Sequence, residues 1–114
     1  MCKIAFILIL SVCIQSWAQP FASIDNYAKN LPTSEAKSVE QLAKSLTKTS
    51  KTDADKVRAF YVWIAANVAY DFAAFKSGKV PEQTANSTFA SKRAVCQGYS
   101  ELFNHLCQLN DIIG

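Results

Sequence analysis

The chain has 114 residues, 12 basic against 9 acidic, for a net charge of +3 with half of its residues hydrophobic. That is enough for one small domain with a modest core. The lysines are spread along the chain and not interleaved with aromatics, which excludes a nucleic-acid footprint.

Lys3 followed by the apolar run Ile4 to Ile14, with Ser16-Trp17-Ala18 ahead of Gln19, reads as a secretory signal peptide over residues 1–18. The run is shorter than the roughly 20 residues of a spanning helix, so no membrane anchor is expected after cleavage. A lipoprotein signal fails on the bulky Val12 before Cys13. The exported product, periplasmic or secreted, would begin at Gln19 and keep two of the four cysteines, Cys96 and Cys107.

Residues 19–33 form a linker with a short helix, spaced by Phe21, Ile24, Tyr27 and Leu31 and stopped by Pro32. Ser38-Val39-Glu40-Gln41 is a capping box, and Val39, Leu42, Ala43 and Leu46 give the helix behind it one apolar face. Thr52-Asp53-Ala54-Asp55 opens the next helix with a cap and first-turn acids. Val57, Phe60, Tyr61, Ile64 and Val68 make its predicted buried stripe, with Trp63 to one side. Ala73 to Ser91, with Gly78, Pro81 and a Thr/Asn/Ser cluster, reads as loop. The sequon Asn86-Ser87-Thr88 is too short a pattern to carry weight.

The last predicted helix runs from Cys96 to about Asn110. Cys96, Tyr99, Leu102, Phe103, Leu106, Cys107 and Leu109 share one arc, and Gln97, Glu101, Asn104, His105 and Gln108 the other. Asn110-Asp111 is a left-handed stop, and Ile112-Ile113 reads as the start of a strand.

Cys96 is the candidate nucleophile. A helix N-terminus presents unpaired N–H groups and partial positive charge, which stabilise a thiolate, and Lys92 and Arg93 act in the same direction. On the apolar arc, its sulfur is expected against the core. A disulfide to Cys107 fails on geometry: eleven residues of one helix span roughly 16 Å, against the ~7 Å limit between bridged Cα atoms. Cys107 reads as core filler. His105, the one histidine, lies half a turn around the helix from Cys96 and more than two turns along it, so it can be neither the base of Cys96 nor a zinc ligand with it. A cysteine nucleophile needs a base within reach and a group to orient that base. No cofactor is implied: metal-ligand spacing and glycine-rich phosphate loops are both absent.

Asp55 to Asp71 (DKVRAFYVWIAANVAYD) resembles the helix ahead of the active site in transglutaminase-like proteins, and Ala94 to Phe103 (AVCQGYSELF) resembles their nucleophile motif. The loop between the two motifs is also similar. The resemblance covers about residues 34–114, and two motifs in the right order and spacing make it specific. It implies an α+β, papain-like fold, with Cys96 as nucleophile at the head of a helix packed on an antiparallel sheet. It further implies a protein or peptide substrate and thiol-dependent acyl transfer or hydrolysis at its amide bonds. Tyr70 and Gln97 fall near the implied site and receive no chemical role.

The family's histidine and aspartate come from strands that would follow Gly114. The expectation is therefore an N-terminal, mainly helical part of the domain, inactive alone. Phe60, Ile64, Phe103 and Leu106 would lack their cover, which predicts self-association. Asp111 stands where the family usually has glycine. The rival reading is an exported, non-catalytic helical interaction module with structural thiols.

Overall fold

The computed structural model describes residues 20–112; the expected signal segment lies outside the described residues. Six α-helices carry most of the described residues, with a two-stranded sheet. In order these are α1 (Ala22–Lys29), α2 (Val39–Leu46), α3 (Asp53–Asn67), β1 (Ala69–Tyr70), α4 (Phe72–Ser77), α5 (Ala85–Ser91), β2 (Arg93–Ala94) and α6 (Cys96–Leu109). A 3-10 turn, Thr33–Glu35, joins α1 to α2. No helix among the described residues is long and apolar enough to cross a membrane.

Local chemistry sets the helix starts. Ser38 accepts from the Gln41 N–H at 3.1 Å, and the Gln41 carboxamide reaches back to the Lys37 N–H at 2.7 Å. This is the expected capping box with its return arm one residue early. Thr52 and Asp55 repeat the arrangement at α3, with Asp55 taking the Lys51 N–H.

The core gathers one face from each long helix. It holds Ile24 and Ala28 of α1, Leu42 and Leu46 of α2, Phe60 and Trp63 of α3, and Leu102, Leu106 and Cys107 of α6. Two side-chain contacts tie α1 down. Arg58 grips Asp25 through two bonds of 2.8 and 2.9 Å while its guanidinium lies between the Phe21 and Tyr61 rings, and the Tyr27 hydroxyl donates to the Ser45 carbonyl at 2.6 Å.

The structure corrects four expectations. The first helix is shorter than Phe21 to Leu31. The buried face of α3 is rotated: Trp63, Val62 and Ala59 are buried, while Tyr61 is 60% exposed. Arg58, stacked on Tyr61, keeps that ring at the surface. Phe60, Ile64 and Leu106 are buried, because α1 and α2 close over α3 and α6. The stretch read as loop contains α4 and α5. Asp71 caps α4 through the Ala74 N–H and Gly78 ends it at φ 74°; Thr84 caps α5 through the Ser87 N–H. Asp71 stands alone between Tyr70 and Phe72, ahead of the stretch read as loop, and Thr84 sits in a polar run that masked it.

Asp111 takes a left-handed φ of 57°. Its N–H reaches the Gln108 carbonyl, and the Ile112 N–H reaches the Cys107 carbonyl at 2.9 Å, a Schellman closure of α6. Ile112 is not in a strand, and Ile113 lies outside the described residues.

Candidate functional site

The entry to α6 is fixed before the helix begins. β1 and β2 pair in parallel, Ala69 with Arg93 and Tyr70 with Ala94. The Asp71 N–H donates to the Ala94 carbonyl at 2.8 Å. Ala94 and Val95 are buried, Val95 is extended, and Cys96 is the first helical residue.

Cys96 is a free, exposed thiol, and Cys107 a free, buried one whose burial pushes its thiol up. The sulfur is therefore not held against the core as its place on the apolar arc suggested. In the first turn the arc has not yet reached the packed part of the helix, which starts at Gly98.

The head of α6, like that of α1, carries no side-chain cap. Ser38, Thr52, Asp71 and Thr84 each accept a backbone N–H of their own first turn. Val95 has no side chain that can do so. The Gly98 N–H closes on the Val95 carbonyl at 3.0 Å, and the Val95 N–H donates to the Gln83 carboxamide at 3.1 Å. The Cys96 and Gln97 N–H groups have no partner among the described residues. An exposed thiol thus sits beside two open amides at the positive end of a fourteen-residue helix, where a thiolate or an oxyanion is stabilised.

Lys92 does not assist as expected. It caps α5 at φ 57°, and its ammonium lies 3.8 Å from the Phe89 ring centre and 5.5 Å from that of Trp63, donating to the Phe89 carbonyl. Burial there pushes its amine down. Arg93 is exposed in β2. His105 sits nine residues beyond Cys96 in α6, roughly 14 Å along the axis, and so supplies no base at the thiol.

Aromatic rings flank the head of the helix. Tyr99, one turn on from Cys96, stacks on Tyr70 at 6.3 Å and donates its hydroxyl to the Val68 carbonyl at 2.8 Å. Burial, aided by Tyr70, pushes that hydroxyl up. Tyr70 in turn meets Phe72 and Phe75, which are 66% and 62% exposed. On the other side of Tyr99 a groove of about 320 Å³ runs between α3 and α6, lined by Tyr61, Ile64, Ala65, Tyr99, Ser100 and Phe103. Gln97 is exposed at the site and contacts none of these by hydrogen bond.

Sequence reasoning missed the residues under the helix head: Gln83, Thr88 and Gly98. A Cβ on Gly98 would stand 2.5 Å from the Ala94 Cβ, 2.5 Å from the Gln83 Oε1 and 2.6 Å from the Thr88 Oγ1. A glycine inside a helical pattern is a signal of close approach. Nothing in the sequence marks Gln83.

The chain matches the model of the transglutaminase-like superfamily over residues 40–113. It is 28% identical over 91 residues to human kyphoscoliosis peptidase. That alignment covers 80% of this chain and 14% of the human protein, so the chain spans a small part of the relative's length. No solved structure matches it. The match takes in both α3 and the whole of the helix that Cys96 opens, and the chain belongs to the transglutaminase-like superfamily.

Proposed function

We propose that Cys96 is the nucleophile of a thiol-dependent acyl-transfer or hydrolase domain that acts on amide or peptide bonds of protein or peptide substrates outside the cytoplasm. The observation that carries the reading is the exposed thiol at the first residue of α6 with the Cys96 and Gln97 amides left open beside it. The family match supports it, as does the peptidase named among its relatives. The signal-like run over residues 1–18 supports export.

The thiolate attacks the substrate carbonyl carbon, and the carbon–oxygen π pair moves onto oxygen. The open amides receive that oxyanion. Collapse expels the amine, which takes up a proton, and leaves a thioester on Cys96. Water hydrolyses the thioester, or a second amine takes the acyl group. The proton transfers need a base that no described residue supplies at Cys96. The 114-residue chain is therefore expected to acylate but not to turn over an amide.

An activated ester separates the two steps, because its leaving group departs without a general acid. p-Nitrophenyl acetate should place an acetyl group on Cys96 and not on Cys107, read by mass spectrometry of peptides. Cys96→Ala should lose the adduct. Acylation of Cys96 no faster than that of an unfolded peptide carrying the same residues would sink the nucleophile assignment. Amide turnover by this chain, lost in Cys96→Ala, would sink the inactivity claim.

A further inference from the structure

We infer that Gln83 is a positioning residue for Cys96: its buried carboxamide fixes the head of α6 from outside the helix and leaves the Cys96 and Gln97 amides open. The inference rests on the nucleophile reading above.

An ordinary cap solves a different problem. Its oxygen takes the N–H of the second or third helical residue and so steadies the helix from within its own first turn. Four helices among the described residues are capped in that way, each at its third residue, with the first two amides left open as in α6. At α6 the third residue's N–H goes to the Val95 carbonyl, and the side-chain bond falls three residues earlier, just ahead of the helix. Gln83, 8% exposed, accepts the N–H of Val95 itself at 3.1 Å. Its own NH₂ donates to the Pro81 carbonyl at 3.0 Å, so the carboxamide is held at both ends. Gly98 makes room for it, since a Cβ there would overlap Oε1. The Val95 donor, one residue ahead of the thiol, is thereby satisfied by the neighbouring segment while the next two donors stay free. A neutral amide suits this place. A carboxylate would set a negative charge under the thiolate.

A plain structural role, satisfying a buried N–H and nothing more, predicts lost stability without a change in thiol chemistry. The two are separated by the rate of Cys96 alkylation with iodoacetamide in the folded 114-residue chain, followed across pH with buried Cys107 as the internal check on folding. Gln83→Met keeps the bulk and removes both bonds. The expected result is Cys96 alkylation about twofold to fivefold slower at neutral pH, the range of a helix-terminus effect, with Cys107 still protected and the far-UV spectrum kept. An unchanged or faster rate in a folded variant overturns the inference.

Should Gln83→Met not fold, amide exchange decides. In the wild type the Val95 N–H should be protected and the Cys96 and Gln97 N–H groups should exchange freely. Gln83→Glu, which keeps an acceptor, should retain the Val95 protection. Equal exchange at all three wild-type amides, or loss of protection in a folded Gln83→Glu, overturns it. Wild-type Cys96 that reacts no faster than an unfolded control sinks the nucleophile reading and takes this inference with it. Normal wild-type reactivity with no effect of Gln83→Met sinks this inference alone.

Discussion

Gly98→Ala sets two effects of opposite sign against each other at the site. Replacing glycine by alanine within a helix gains about 1 kcal/mol from backbone propensity. The new Cβ would meet the Ala94 Cβ and the Gln83 Oε1 at 2.5 Å each and the Thr88 Oγ1 at 2.6 Å. The Thr88 hydroxyl can rotate aside, and it has no hydrogen-bond partner to lose among the described residues. The Ala94 Cβ cannot move without β2, which is paired to β1. The Gln83 carboxamide can swing away only by leaving the buried Val95 N–H unpaired, at a cost of about 1–3 kcal/mol. Overpacking against β2 costs a further ~1–3 kcal/mol. The clash outweighs the propensity gain, and a net loss of about 1–5 kcal/mol is expected. In a domain of this size Tm falls by roughly 4–8 °C for each kcal/mol lost. Urea and thermal unfolding followed by far-UV circular dichroism measure it. A Gly98→Ala chain as stable as wild type, or more so, would show that α6 and β2 are not in the contact described.

Two further outcomes test the rest of the fold. The Arg58 guanidinium, mainly through its hydrogen bonds, holds the Asp25 carboxyl below its ordinary value. On acidification the unfolded carboxyl, near ~3.9, takes up its proton first. The pair's contribution is therefore present above about pH 4 and is lost as pH falls through the lower folded value. Asp25→Asn should flatten that acid limb of the stability curve, and parallel curves for the two proteins would refute the clasp of α1 on α3. At the far end of α6, Asp111→Gly removes a side chain from a left-handed residue. It should stabilise by ~0.5–1 kcal/mol, and a drop in the urea midpoint would refute the Schellman closure.

The sequence was most legible where one segment decides its own structure. Ser38 and Thr52 announce helix starts, and the Asn110-Asp111 stop appears where its residue types place it. The arc of α6 was readable from Gly98 onward, because Leu102, Leu106 and Cys107 recur at the helical period. The reading failed where a partner decides. Tyr61 and Trp63 are both large aromatics on α3, and which is buried depends on Arg58 reaching Asp25 from across the chain and stacking on Tyr61. α4 and α5 are too short for periodicity to show. At the site, Cys96 was found through its place at a helix start, but its exposure was not, since the arc says nothing of how far the packing reaches. Lys92 was misjudged for a similar reason: sequence proximity to the thiol gave no hint that Trp63 and Phe89 hold its ammonium.

These failures share a geometric cause that bears on the chemistry. A helix that carries a nucleophile at its first residue must be anchored without using its own first amides. The anchors found here all come from residues distant in the chain and all fall on the inner side or just ahead of the first turn. Gln83 takes the Val95 N–H, the Ala94 carbonyl takes the Asp71 N–H, and the Tyr99 hydroxyl reaches the Val68 carbonyl. The tail of the same helix, where no chemistry is placed, is closed by its own backbone through Asp111 and Ile112. Local capping leaves a mark in the sequence, and anchoring by distant segments does not. An apolar Val95 before Cys96, with no cap of its own, is thus the one local trace of a helix head held from outside by Gln83.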